Sequence, residues 1–117
     1  MAYIQGFLAA VPIANKEKYR TQALEAWEMF KDRGALSMVE TWGVDVPDGK
    51  VTSFPMATKM EEGETVIFSW IVWPDRETCD AASKAMQEEF DPSTFEMPFD
   101  GMRMMWGGFE ELVNVDA

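Results

Sequence analysis

Charged side chains that interrupt apolar segments are the first candidates for chemistry in this sequence. Glu40 and Asp45 fall in a predicted strand, and Arg103 precedes another. A carboxylate whose pKa is raised by burial can act as a general base on an acidic C–H, and an arginine can hold a carboxylate or an enolate with paired hydrogen bonds. Glu40, Asp45 and Arg103 are therefore the candidate catalytic residues. In the competing interpretation, Glu40 is an edge-strand carboxylate that faces water or pairs with Arg103. Arg103 in turn connects a loop to a helix end.

Aromatic and hydroxyl side chains form a second group of candidates, for ligand binding. The tryptophans could line a pocket for a flat apolar ligand, or they could pack in the core and in an interface between subunits. Ser69 has no histidine to activate it, so a hydroxyl bonded to the backbone is the simpler expectation. The candidate ligand-binding residues are Trp42, Lys50, Ser53, Phe54, Ser69, Trp70, Asp100 and Trp106.

The composition excludes several kinds of catalytic site. The chain has no histidine and a single cysteine, Cys79. This removes Ser-His-Asp and Cys-His nucleophiles, His-ligated zinc and iron, and haem with a proximal histidine. There is also no glycine-rich phosphate loop of the Walker or dinucleotide type. We therefore expect no metal and no cofactor, and we expect Cys79 to be a buried structural thiol.

The charge balance restricts the partners. The formal net charge is −11, from 21 acidic and 10 basic residues in a chain of 117. Such acidity disfavours nucleic acids and anionic membrane surfaces, because both attract Lys and Arg. No apolar run approaches the roughly 20 residues of a membrane span, and the N-terminus lacks a signal-peptide pattern. We expect a cytoplasmic protein that binds neither nucleic acid nor membrane.

Two segments have the periodicity of amphipathic helices. The first spans residues 15–33, with Asn15 suited to the N-cap and Gly34 to the position after its end. The second follows Asp75, which can cap it, and ends before Pro92. The stripes expected to face the sheet are Tyr19, Ala23, Ala26, Trp27 and Phe30 in the first helix and Cys79, Ala82, Ala85, Met86 and Phe90 in the second.

The remaining segments predict a sheet with two irregular connections. Pro55 would confine segment 50–60, which could start or extend a hairpin, to a sheet edge. Segment 92–103 has no clear period and is expected to be a loop. Gly43 suggests a bulge, and Gly107-Gly108 suggests a bulge or the close approach of another backbone. The predicted strands are 2–11, 36–46, 65–73 and 104–115.

The segment from Glu64 to Trp73 predicts how the domain is assembled. Its apolar residues point to both faces of the sheet: Val66, Phe68, Trp70 and Val72 to one, Ile67, Ile71 and Trp73 to the other. A strand that is apolar on both faces must be covered on both, and two helices cover only one.

The order β-α-β-β-α-β predicts one α+β domain over residues 1–117. It is a ferredoxin-like antiparallel sheet with both helices on one face. We expect a homodimer through the open sheet face, which makes a dimeric α/β barrel. The alternative is a monomer whose loop 47–64 folds over that face.

Three long segments resemble signatures of the YbaA-like family of uncharacterised bacterial proteins, a domain of unknown function. They are Asp45–Pro55, Glu64–Ile71 and Met97–Glu110, and the last departs from the pattern at Met102, where a lysine is expected. The resemblance implies the dimeric α/β-barrel superfamily. That superfamily includes cofactor-independent monooxygenases, haem enzymes, isomerases, dehalogenase-like proteins and ligand binders, so the fold does not determine the function.

Two functional hypotheses follow. In the first, the protein binds a small molecule or acts as a cofactor-independent enzyme, oxygenase- or isomerase-like, with a pocket between sheet and helices in each subunit. In the second, it is a non-catalytic dimeric interaction or stress-related protein whose barrel is filled and has no cavity. RNA binding would need a basic stripe with exposed aromatics, which the net charge of −11 disfavours.

Overall fold

The computed structural model describes residues 2–91, 93 and 96–117. Within these ranges, no helix has the length and apolarity needed to cross a membrane. Two single 3₁₀ turns, Ile13–Asn15 and Gly101–Arg103, accompany the regular elements. These elements are β1 (Tyr3–Pro12), α1 (Lys16–Asp32), β2 (Ser37–Trp42), α2 (Phe54–Thr58), β3 (Glu64–Trp73), α3 (Arg76–Glu89) and β4 (Met105–Glu110).

The four strands form one antiparallel sheet in the order β2-β3-β1-β4. The central pair runs for ten residues, from Tyr3 opposite Trp73 to Pro12 opposite Glu64. This topology confirms the predicted α+β, ferredoxin-like class. It leaves β2 and β4 as the two edges of the sheet.

Helices α1 and α3 cover the face to which the odd-numbered residues of β3 point. Ile71 and Trp73 pack there with Cys79 and Ala82 of α3, and Trp27 and Phe30 of α1 lie against the same cluster. A second cluster contains Ala9, Val11 and Ile67. Cys79 is a buried free thiol, as predicted, and burial raises its pKa.

The other sheet face is partly covered by a third helix, so the expectation of two helices is wrong. Segment 50–60 does not extend a hairpin but contains α2, because the Ser53 hydroxyl accepts the Met56 N–H at 3.2 Å and caps it. Pro55 lies in the first turn, where a missing N–H is harmless. Ala10 and Val66 are buried on this face, and α2 contacts both strands to which they belong.

Most of this face beyond α2 remains exposed. The ring of Phe54 meets Phe68 edge-on with centroids 6.0 Å apart, yet Phe68 is still 48% exposed. Val39, Met105 and Phe109 lie on the same face by register and are 38–59% exposed. Helix α2 therefore covers one end of the face, which is less than the alternative with a folded loop 47–64 required, and leaves an apolar surface.

The helix ends confirm two of the three predicted caps. Asp75 caps α3 by accepting the Thr78 N–H at 2.7 Å, and Gly34 adopts the left-handed conformation after α1, with φ +105°. Asn15 does not cap α1; its side-chain amide instead donates to the Pro98 carbonyl at 2.8 Å. Caps that depend only on neighbouring residues were predictable, whereas the partner of Asn15 comes from a distant segment.

The two edge strands are shorter than predicted. β2 ends at Trp42, so Asp45 lies in the following loop and not in a strand, although the Gly43 N–H still donates to the Val66 carbonyl at 2.8 Å. β4 ends at Glu110. A Cβ atom at Gly108 would overlap the Tyr3 hydroxyl, so the close approach predicted there involves a side chain. Residues 92, 94 and 95 of the predicted loop 92–103 lie outside the described residues.

Candidate functional site

Glu40 lies on edge strand β2, on the face covered by α1. The stripe of α1 turns Tyr19 toward the sheet, and its hydroxyl donates a hydrogen bond of 2.5 Å to Oε2 of Glu40. The Tyr19 ring packs against Trp42 and Phe99, with centroids 6.3 and 5.8 Å away. Ser69 is directly opposite Glu40 in the β2–β3 ladder and is buried. Aromatic packing thus holds the phenol in place above the carboxylate.

The surroundings of Glu40 disfavour its charge. Glu40 keeps an exposed side toward solvent, but the protein atoms packed around its carboxylate raise its pKa, and the Tyr19 and Ser69 hydroxyls oppose this rise only in part. Burial, together with the charge of Glu40, also raises the pKa of Tyr19. The phenol therefore stays protonated and donates, while the carboxylate has a higher proton affinity than an ordinary glutamate.

An open cavity of about 330 Å³ adjoins this pair, between α1 and β2. A smaller hollow of about 150 Å³ shares Tyr19, Ala23 and Glu40 with it. Cavities of the larger size are typical of small-molecule sites. The larger one is lined by Lys16, Tyr19, Arg20, Ala23, Leu24, Met38, Glu40, Thr41 and Trp42.

Of the candidate catalytic and ligand-binding residues, three come together here: Glu40, Trp42 and Ser69. Trp42 lines the cavity, and the Lys16 ammonium lies 5.6 Å from the centroid of its ring. Asp45 is an exposed loop residue and does not line the cavity.

The remaining candidates are scattered over the molecule. Ser53 caps α2, and Lys50 is exposed in the loop before it. Phe54 and Trp70 both contact Phe68 on the opposite sheet face. Trp106, on β4, is exposed at the other edge of the sheet. These positions do not form one site with Glu40.

Arg103 is held in an ion-pair network. Its guanidinium makes two hydrogen bonds of 2.8 Å to the carboxylate of Glu64, one of 3.1 Å to Asp100 and one of 2.9 Å to the carbonyl of Lys59. The suggested pairing of Glu40 with Arg103 is therefore wrong, whereas the position of Glu40 on an edge strand with an exposed side agrees with the other form of that interpretation, a carboxylate that faces water. Because Lys59 is the C-cap of α2, Arg103 ties its loop to a helix end, as the competing interpretation predicted.

Charge pairing in this network lowers the pKa of its carboxylates, whereas the surroundings of Glu40 raise the pKa of that residue. Hydrogen bonds from Arg103 lower the pKa of Glu64. A backbone N–H, from Met102, and then Arg103 lower the pKa of Asp100, and the carboxylates raise the pKa of Arg103. All three groups are ionised, and each charge has an opposite charge beside it. The hydrogen bonds of Arg103 go to Asp100, Lys59 and Glu64 and not toward the cavity of Glu40.

Among the described residues, no group of three or more cysteine, aspartate or glutamate side chains is placed to hold a metal ion. The polar groups around the cavity are instead a carboxylate, a phenol, a threonine hydroxyl and two cations. Such a set can bind an organic molecule and move a proton.

Residues 2–101 match the model of a family described as a protein of unknown function, DUF1428. The chain belongs to this family. It is 50% identical over 116 residues to uncharacterized protein YbaA of Escherichia coli K12, covering 97% of this chain and 99% of the relative. A protein of the same name from Shigella flexneri matches with the same identity and coverage. The resemblance to YbaA-like proteins is thereby confirmed.

The fold also has a counterpart among solved structures. A dimeric ferredoxin-like protein from an uncultured marine organism matches over 100% of both chains, with a TM-score of 0.59 and 12% sequence identity. At this identity the likeness shows the fold alone. It supports the ferredoxin-like class assigned to this DUF1428 protein.

Sequence reasoning about this DUF1428 chain missed, among other lining residues, the phenol and the two cations of the cavity. Tyr19 was considered only as part of an apolar stripe, although a tyrosine that faces a core needs a partner for its hydroxyl. That need was the available signal. Lys16 lies three residues before Tyr19, and Arg20 lies one residue after it. Helical spacing therefore places all three on one side of α1.

Proposed function

We propose that this protein binds a small organic molecule in the cavity between α1 and β2 and transforms it without a cofactor, with Glu40 as the general base. The observation that carries the proposal is the Tyr19–Glu40 hydrogen bond of 2.5 Å at the wall of a cavity of about 330 Å³. A carboxylate with a raised pKa beside a ligand-sized cavity is an arrangement suited to proton abstraction.

The proposed step is removal of a proton from a carbon next to a carbonyl group. The C–H bond breaks, the proton moves to Glu40, and the electron pair shifts onto the carbonyl oxygen to form an enolate. A protonated carboxyl accepts hydrogen bonds more weakly than a carboxylate. The Tyr19 hydroxyl then becomes available to donate to the enolate oxygen.

Return of the proton to another carbon of the same molecule completes an isomerisation, and this step needs no further reactant. An oxygenase-like reaction would instead use dioxygen to take the electrons of the carbanion. The raised pKa of Glu40 suits either reaction, because a base works best when its pKa is near the working pH.

The first test is native mass spectrometry of the protein purified from its own host. Extra mass on the protein supports an occupied cavity and allows the ligand to be identified. Exchange of the ligand's C–H for deuterium is then followed by NMR with wild type, Glu40→Gln and, as control, Glu25→Gln on the exposed side of α1.

We expect Glu40→Gln to slow exchange by about 10²- to 10⁴-fold, and Glu25→Gln to leave it unchanged. Equal exchange rates in wild type and Glu40→Gln, with ligand bound to both, would contradict the assignment of the base.

A second candidate function, that of a non-catalytic dimeric interaction or stress-related protein, is favoured by the open sheet face. Val39, Phe68, Met105 and Phe109 form an exposed apolar surface there. Two such faces can pack at about 10 Å from each other. We propose a homodimer through this face, for either function, and the dimeric ferredoxin-like neighbour supports it.

Sedimentation velocity tests the dimer. Wild type should sediment as a dimer and Phe109→Lys as a monomer, while Met29→Lys, a similarly exposed control on α1, should remain dimeric. A monomeric wild type at micromolar concentration would refute it. Cytoplasmic location and the absence of a nucleic-acid partner stay predictions.

A further inference from the structure

We infer that the ligand of the cavity between α1 and β2 is an organic carboxylate with a flat apolar body. Its carboxylate binds to Arg20 and Lys16, and its body lies against Trp42. This inference rests on the proposed function, because it specifies the ligand of the same site.

The first observation concerns the ion pairs of the four arginines. Three of them are in ion pairs: Arg33 with Glu89, Arg76 with Asp80, and Arg103 with Glu64. Arg20 has no ion pair with any other described residue, and it lines the cavity. In a chain with 21 acidic residues and 10 basic ones, an arginine without a carboxylate partner at a cavity is suited to an anion that comes from outside.

The second observation is a further cation on the same side of α1. Lys16 lies one helical turn before Arg20 and also lines the cavity. Its ammonium is 5.6 Å from the centroid of the Trp42 ring, and it too has no ion pair with a described residue. An arginine can bind a carboxylate with two parallel hydrogen bonds, and a lysine adds a point charge.

The third observation is an apolar part of the cavity wall. Leu24, Met38 and Trp42 line the cavity beside the two cations. A cavity of about 330 Å³ equals the volume of roughly eleven water molecules, at about 30 Å³ each. This is room for a ring system with one short polar group.

Glu40 determines which way such a ligand binds. Its carboxylate repels a second carboxylate, so the ligand's anionic group must lie toward Arg20 and Lys16, and the uncharged part must approach Glu40. This orientation presents a C–H rather than a carboxylate to the base. The substrate class is therefore a small carboxylic acid whose flat, uncharged part carries an enolisable carbonyl group.

A matched pair of probes tests the inference: 2-naphthoate and the uncharged 2-naphthalenemethanol, titrated by calorimetry at pH 7. We expect wild type to bind the acid about tenfold more tightly than the alcohol, or better. Arg20→Gln should remove most of this preference by weakening only the acid, and Lys16→Gln should have a smaller effect of the same kind. Added salt should also weaken only the acid, because the two cations are exposed.

Arg76→Gln and Lys84→Gln are the controls, since each removes the same charge from α3, outside this cavity. Both should bind the acid as wild type does. Equal affinity for acid and alcohol, no binding of either probe, or equal effects of Arg20→Gln and Arg76→Gln would overturn the inference.

These outcomes separate the inference from the proposed function. An uncharged native ligand whose exchange depends on Glu40 would refute the carboxylate and leave the base in place. Binding of the acid through Arg20, combined with exchange that Glu40→Gln leaves unchanged, would refute Glu40 as the base and leave the carboxylate ligand in place.

Discussion

Glu40 and Glu64 are both strand glutamates, but their surroundings act on them in opposite directions. Glu64, at the start of β3, receives two hydrogen bonds from Arg103, and its pKa is lowered. Glu40, on β2, receives a hydrogen bond from the uncharged Tyr19 hydroxyl, and burial raises its pKa. A glutamate that is fully paired with an arginine stabilises the fold, whereas one that lacks a cation partner keeps its affinity for protons.

The two residues also differ in what lies next to them. The side chain of Glu64 is 8% exposed within a closed network of loop, helix end and strand. Glu40 borders a cavity that can admit another molecule. The difference indicates that Arg103 has a structural role and that Glu40 is the better candidate for chemistry.

The largest effect is expected from Arg103→Met, which leaves the Glu64 carboxylate without its guanidinium. Removing one partner of a largely buried pair is strongly destabilising, because the other charge stays uncompensated. We therefore expect a large drop in Tm, measured by calorimetry. Arg76→Met, which breaks only the exposed pair with Asp80, is the control and should change Tm little.

A second substitution separates this charge effect from simple loss of packing. Glu64→Met in the Arg103→Met background should recover part of the lost Tm, since both charges are then removed together. If Arg103→Met melts at the same temperature as Arg76→Met, the network does not stabilise the fold and the contrast with Glu40 is lost.

An intermediate effect is expected in the pH dependence of stability. The raised native pKa of Glu40 means that its ionisation favours unfolding, so stability is lost as the pH rises through that pKa. The lowered pKa of Glu64 means the opposite: its contribution is present above the unfolded value of about 4.3 and is lost as the pH falls through the native pKa. Urea unfolding between about pH 3 and pH 8 measures both.

Relative to wild type, Glu40→Gln should gain stability as the pH rises from about 4.3 through the raised native pKa of Glu40. Glu64→Gln should be less stable at neutral pH, and its deficit should shrink toward about pH 3. A difference between Glu40→Gln and wild type that does not vary with pH would mean that burial does not perturb Glu40.

The smallest effect is a shift in the pKa of Glu40 itself. Tyr19→Phe removes the hydroxyl that lowers this pKa, so the pKa should rise further, as measured by NMR titration of carbon-13-labelled carboxyl groups. Ser69→Ala should shift it in the same direction by less. Tyr3→Phe, at the other end of the sheet, is the control and should leave it unchanged. A lower pKa in Tyr19→Phe would mean that the phenol destabilises the charge rather than stabilising it.

Much of the fold was predictable because its determinants are local. The apolar residues on both faces of the segment from Glu64 to Trp73 and the spacing of the α1 stripe assign faces to residues before any tertiary contact is known. Asp75 and Gly34 mark helix ends because a side-chain acceptor and a left-handed conformation act within one turn. Helix α2 had local signals too, in Ser53 and Pro55, but the interpretation of Pro55 as an edge-strand residue outweighed them.

The sequence by itself determined the class of fold, the two apolar faces of the sheet and the presence of Glu40 and Trp42 on one strand. The tertiary structure alone decided which partners these residues have. Register places Ser69 opposite Glu40, the docking of α1 places Tyr19 above it, and Arg103 reaches Glu64, 39 residues away, rather than Glu40. Sequence patterns specify the face on which a side chain lies, but the charge that compensates a carboxylate depends on how distant segments pack.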